Sequence, residues 1–150
     1  MTNVRKVASG FFAAGCAATF VAAAQATIGP VAAHADPAGH QVTYTVSSPN
    51  NLTATVSYVS SDPPSQAAYN ADPSKFMTSL QAPLSGGTPV VYTVTLANPN
   101  QWASINASGM LHWPDSGNGP ASFHCEIAVD GQVVAHQDAS TTVTCAARPG

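Results

Sequence analysis

From Gln41 onward one pattern constrains the chain more than any other: apolar residues recur at every second position in short runs, a period that suits strands and not helices. Gln41-Val-Thr-Tyr-Thr-Val46 alternates strictly, with Val42, Tyr44 and Val46 on one side and Thr43 and Thr45 on the other. Leu52 to Val59 alternates in the same way through Leu52, Ala54, Val56 and Tyr58. Pro49-Asn50-Asn51 between these runs predicts a turn, so an antiparallel hairpin is expected there. Strands are also expected at Phe76 to Leu84, Val90 to Leu96, Trp102 to Ala107, Phe123 to Val129, Val133 to Gln137 and Thr141 to Cys145. Turn residues separate them: Gly86-Gly87, Asn98-Pro99-Asn100 and Asp130-Gly131. No stretch after residue 36 sustains a helical period, and only Ser65 to Asn70 suggests a single helical turn. The expected fold is an all-β, immunoglobulin-like antiparallel β-sandwich of about seven strands. Ser60 to Ser74 stands out as a long irregular segment, a feature that compact domains keep for function or mobility.

The N-terminus has a different composition. Arg5 and Lys6 are followed by a run from Val7 to Ala35 without Asp, Glu, Lys or Arg, closing in the small-x-small triplet Ala33-His34-Ala35 ahead of Asp36-Pro37. That is the anatomy of a secretory signal peptide over residues 1–35, with cleavage expected between Ala35 and Asp36 and one domain over 36–150. The run is also long enough for a retained membrane helix, but alanine is weakly membrane-seeking and Gly29-Pro30 suits a processing site. Ala13-Ala14-Gly15-Cys16 only loosely resembles a lipid-attachment site.

Beyond Ala35 the only Lys and Arg residues are Lys75 and Arg148, against seven carboxylates, a net charge of −5 with neutral histidines. Two separated cations make no basic patch, which excludes nucleic acid as a partner and polybasic attachment to anionic lipid. With Cys16 in the leader, Cys125 and Cys145 remain as an even pair in an oxidising compartment, so a disulfide is expected. Zinc or redox alternatives would call for CxxC or HxxxH spacings, which do not occur. Strands that flank a third lie about 10 Å apart, beyond disulfide reach. If the cysteines are bridged, the final strand must pair beside the Cys125 strand or face it from the other sheet.

Residues able to carry chemistry are few. His124 and Glu126 share a strand face and His136 lies on the returning arm, a set that could hold a metal if it converged; a solvated sheet face is the simpler expectation, and no metal or cofactor is assigned. No GxSxG, HExxH or phosphate loop is present, and Asp115 near His112 and Trp113 reads as part of a turn. No catalytic residue is assigned and the chain is read as non-enzymatic. Tyr44, Tyr58 and Tyr92 fall in core register with hydroxyls expected at the edge, while Tyr69 and Trp102, in less regular segments, are the candidates for an exposed contact surface.

Cys125-Glu-Ile-Ala-Val-Asp-Gly-Gln-Val-Val134 followed by Val143-Thr-Cys-Ala146 resembles the end of the MmpS family of small mycobacterial membrane proteins. Val42 to Val46 with Ala54 to Tyr58 is similar to that family's opening strands. The resemblance covers the outer thirds of the domain. It implies an extracytoplasmic β-sandwich with a Cys125–Cys145 disulfide, assisting a large RND-type exporter of lipids or siderophores and lacking catalytic residues. Members of that family keep the N-terminal helix as an anchor, whereas the leader here carries a cleavage triplet. An envelope-bound exporter accessory and a freely secreted, antigen-like binding protein are therefore both expected possibilities, with oligomeric state open.

Overall fold

The computed structural model describes residues 39–112 and 115–148. The expected leader with its Ala35–Asp36 cleavage site, Cys16 and Trp113 lie outside the described residues. Among the described residues eight strands are present, one for each of the runs read as strands: β1 (His40–Ser47), β2 (Leu52–Val59), β3 (Met77–Leu84), β4 (Val90–Leu96), β5 (Ser104–Ser108), β6 (Ser122–Val129), β7 (Gln132–Ser140) and β8 (Thr142–Ala146). Two short helices, α1 (Gln66–Ala71) and α2 (Pro99–Trp102), lie in the connections. The strands form two four-stranded antiparallel sheets, ordered β4-β1-β6-β7 and β3-β2-β5-β8, and the fold is the expected all-β sandwich.

The alternation read from the sequence explains the packing. Val42, Tyr44 and Val46 of β1 are fully buried, flanked in register by Val94, Tyr92 and Val90 of β4 and by Val129, Ile127 and Cys125 of β6. Across the core, Leu52, Ala54 and Val56 of β2 meet Leu84, Ala82 and Leu80 of β3 in register, and β5 and β8 add Ile105, Ala107, Val143 and Cys145. Each fully buried Val, Leu or Ile contributes about 1.5–3 kcal/mol relative to exposure, so the period-two pattern is what joins the sheets.

One expectation is overturned. β1 and β2 are not a hairpin: β1 pairs with β4 and β6, β2 with β3 and β5, so the Pro49 turn carries the chain from one sheet to the other. Alternation shows which side of a strand is buried but not which sheet it joins, and both strands present an apolar face to the same core. Polar side chains hold the crossing. Ser48 is fully buried; its Oγ donates to Ser122 O at 2.6 Å and accepts from Asn50 N at 3.1 Å, while Asn50 Oδ1 accepts from Ser122 N at 3.0 Å. Only β2–β3 and β6–β7 are successive strands paired within one sheet. The β6–β7 turn is the Asp130-Gly131 hairpin read from the sequence, both residues at positive φ (50° and 84°) as a two-residue turn of this type requires. At the β5–β6 connection Gly109 allows close approach, since a Cβ there would come within 2.6 Å of the Leu52 side chain.

The expected strand over Trp102 to Ala107 also divides. Pro99 sits in the first turn of α2, which ends at Trp102, and β5 starts only at Ser104. The irregular segment after β2 is ordered by local caps: Ser65 Oγ accepts from Ala68 N at 3.1 Å to start α1, and a 3₁₀ turn, Pro73–Lys75, leads into β3. Asp62 accepts from Ala97 N at 2.7 Å and from Asn98 N at 2.8 Å, tying this segment to the end of β4.

Candidate functional site

The two cysteines are joined. Cys125 in β6 and Cys145 in β8 form a disulfide with a Cα–Cα separation of 6.1 Å, and because β6 and β8 belong to different sheets the bond crosses the core. This is the second of the two arrangements that strand spacing allowed, the last strand facing the Cys125 strand from the opposite sheet. Both cysteines are buried, at 0% and 3% exposure, with Val46 and Gln137 beside Cys125 and Ile105 beside Cys145.

The histidines lie on the surface. His124 Nδ1 meets Asp138 Oδ1 at 2.9 Å across the β6–β7 pair, and Glu126 stands opposite His136 one step along. The partner of the His124 ring is therefore Asp138, not Glu126 or His136. Among the described residues no group of three or more His, Cys, Asp or Glu side chains is placed to hold a metal ion. At the end where β1 begins, His40 Nδ1 lies 2.6 Å from Asp130 Oδ2, and Gln41 N donates to Asp130 Oδ1 at 2.9 Å. These contacts, the His40 hydrogen bond first and the Gln41 amide second, hold the Asp130 carboxyl below the usual carboxylate range. Both pairs are solvent-exposed, where an ion pair contributes little to stability.

Tyr69 and Trp102 correct a further expectation. Trp102 is only 6% exposed and belongs to the core, while Tyr69 is half-buried against it, the ring centroids 5.7 Å apart and tilted by 45°. The short α2 turns Trp102 inward as the chain crosses between sheets, so an irregular segment here supplies a core plug. Tyr69 is fixed at its far end by its hydroxyl, 3.1 Å from Met77 Sδ. The two rings nevertheless meet at one place: they wall a cavity of about 270 Å³ between α1, α2 and the β5–β8 pair. Ala103, Ser104, Ala146, Gln66, Gln101 and Arg148 complete its lining. Arg148 donates from Nη2 to Gln101 O at 2.9 Å, which holds the guanidinium at the opening.

Sequence reasoning reached two members of this cavity, Tyr69 and Trp102, and missed Ser104, Ala146 and Arg148. Arg148 follows β8, whose Ala146 stands opposite Ser104 of β5, so their meeting depends on a long-range strand pairing that no local motif announces. A second cavity of about 480 Å³ lies beside the His40–Asp130 pair, lined by the Ala97 to Gln101 segment and the start of β7. Among the described residues no helix is long and apolar enough to cross a membrane.

A family model for the Rv2576c beta-sandwich domain matches residues 44–145. The uncharacterized protein Rv2576c of Mycobacterium tuberculosis H37Rv is 52% identical over 149 residues, covering 99% of this chain and 90% of its own length. An uncharacterized protein of Mycobacterium bovis matches at the same identity and coverage. No solved structure gives a significant match.

Proposed function

The chain belongs to the Rv2576c beta-sandwich family, and we propose that it is a non-enzymatic binding domain working outside the cytoplasm, in the mycobacterial cell envelope or the surrounding medium. The observation that carries this reading is the buried Cys125–Cys145 bridge between the sheets. Disulfides of this kind persist where thiols are not kept reduced, and the leader ending at Ala33-His34-Ala35 supplies the route. A binding role is supported by the aromatic-walled cavity, and by the exposed setting of both His–Asp pairs.

The MmpS resemblance adds a class of partner, a large RND-type exporter, with this domain as its extracytoplasmic accessory. Its specific support is the Cys125 to Val134 element, which builds β6, the Asp130-Gly131 turn and the start of β7. The freely secreted alternative is favoured by the cleavage triplet. Intact mass of the protein from separated membrane and culture-fluid fractions, with and without reductant, tests both. A soluble species starting at Asp36 and gaining about two mass units on reduction, as one disulfide requires, supports the secreted role. A membrane-bound species retaining residues 1–35, together with a transporter captured by crosslinking in intact cells, supports the exporter accessory. A cytoplasmic species with both thiols free would overturn the proposal.

A further inference from the structure

The cavity between α1, α2 and the β5–β8 pair combines an apolar wall with a cationic opening. Its walls are aromatic and aliphatic, from Tyr69, Trp102, Ala103 and Ala146, and among the described residues no carboxylate lines it. In a domain with seven acidic residues and two Lys or Arg side chains, one of those two, Arg148, stands at its opening. Three other cavities beside ionic groups each have a carboxylate in their lining: Asp130, already engaged by His40 and the Gln41 amide, Asp115, and Asp138.

We propose that this cavity is a binding site for a small monocarboxylate with an apolar body, the body lying against Tyr69 and Trp102 and the carboxylate on the Arg148 guanidinium. The inference rests on the binding reading above and supplies it with a ligand class. Sign and size both follow from the lining. A guanidinium has five N–H donors in a planar fork matched to a carboxylate. The 2.9 Å bond to Gln101 O uses one Nη2 donor and anchors the group, so the remaining donors are presented without the full entropic cost of ordering a free side chain. The 270 Å³ cavity has room for a small organic acid and not for a large one. Hexanoate and benzoate are of that class.

The test is titration of the isotope-labelled protein, in the processed form its host accumulates and with the disulfide intact, by amide and indole NMR. Hexanoate and benzoate serve as probes and hexanamide as the neutral control. Saturable shifts centred on the Trp102 indole and the Ala103 and Ser104 amides are expected, with a Kd on the order of 1 mM or tighter for ligands of this size. Hexanamide should bind about tenfold more weakly, and Arg148→Met, which keeps the aliphatic stem, should weaken hexanoate about tenfold or more, as loss of a charged hydrogen bond predicts. Ala146→Phe fills the cavity from an exposed edge position and should abolish the shifts while the rest of the spectrum stays folded. Absence of saturation by both acids, equal binding of hexanamide, or an unchanged affinity in Arg148→Met would each overturn the proposal. These readouts do not depend on cellular location, so a cytoplasmic origin would defeat the extracytoplasmic reading while leaving the cavity's result intact.

Discussion

The two flanks of the sandwich hold the sheets together by different chemistry. At the β6–β8 flank β7 offers the core only the half-buried Ala135 and Ala139, with Gln137 between them exposed, and β8 has five residues; there, beside Phe123, Ile127 and Val143, the sheets are joined covalently through Cys125–Cys145. At the β4–β3 flank the tie is a layer of tyrosines. Tyr44 and Tyr92, in register on one sheet, receive Tyr58 from the other, with centroids 5.3 Å from Tyr44 and 4.9 Å from Tyr92, the latter pair stacked. Tyr44 is fully buried, and its hydroxyl donates at 2.8 Å to Val59 O on the opposite sheet. A staple restricts mainly the unfolded chain, whereas buried rings act in the folded state. The flanks should therefore respond to different perturbations.

The largest effect is expected from Tyr44→Ala, which leaves a cavity and strands Val59 O: about 3–5 kcal/mol lost, by analogy with other large-to-small aromatic changes, read by denaturant unfolding. The paired change Cys125→Ala with Cys145→Ala comes next, at roughly 3 kcal/mol for a bridge closing a loop of this length. Combining the two tests the comparison itself. Ile105 stands in register beside both Tyr58 and Cys145, so a coupling of no more than about 1 kcal/mol is expected between the two losses; stronger non-additivity would mean that the sandwich is clamped as one unit and that the contrast between flanks is false.

Much of this contrast was legible before the fold was known. Strict alternation marked Val42, Tyr44, Val46, Leu52, Ala54 and Val56 as inward, and all six are buried. Asp130-Gly131 carried its own backbone requirement for positive φ, and an even pair of cysteines behind a leader-like segment was enough to predict their bridge. What failed was everything that depends on choosing a sheet. The Pro49-Asn50-Asn51 turn looks the same locally whether it closes a hairpin or crosses the core, and the deciding contacts, Ser48 and Asn50 with Ser122, span more than 70 residues. The candidate cavity was half legible for the same reason. Tyr69 and Trp102 stood out as aromatics in irregular segments, but the burial of Trp102 and the arrival of Arg148 follow from the β5–β8 pairing.

Tyr44→Phe isolates the hydroxyl from the ring. It keeps the packing and removes the donor to Val59 O, so a loss of about 1–2 kcal/mol is expected, smaller than either truncation of a flank. The same variant changes the alkaline limb of the stability profile. Burial pushes the Tyr44 phenol well above the ordinary tyrosine range, and burial and then the neighbouring Tyr58 raise Tyr92. Below the unfolded value of about 10 both states keep the proton and the stabilisation is complete. Above it the unfolded chain ionises first, so stability falls as pH rises. Tyr44→Phe should flatten this fall, whereas removal of the bridge should leave its slope unchanged; equal flattening by both would place the alkaline sensitivity outside the tyrosine layer.

The smallest effect belongs to the turn that closes β6 onto β7. Asp130 is exposed, and its carboxyl is held below the usual range by His40 and by the Gln41 amide. A depressed folded value means that its contribution is present above the unfolded carboxylate value of about 3.9 and is lost as pH falls through the folded one. Asp130→Asn retains a residue type that tolerates φ near 50° and an oxygen able to accept from Gln41, but it cannot titrate. The variant should fold normally at neutral pH and show a slightly shallower loss of stability below about pH 4, with no change on the alkaline side where the tyrosine layer governs. An acid limb identical to that of the parent protein would show that the Asp130–His40 contact, though short, is screened by water to no net effect, leaving the bridge and the rings as the ties that decide stability.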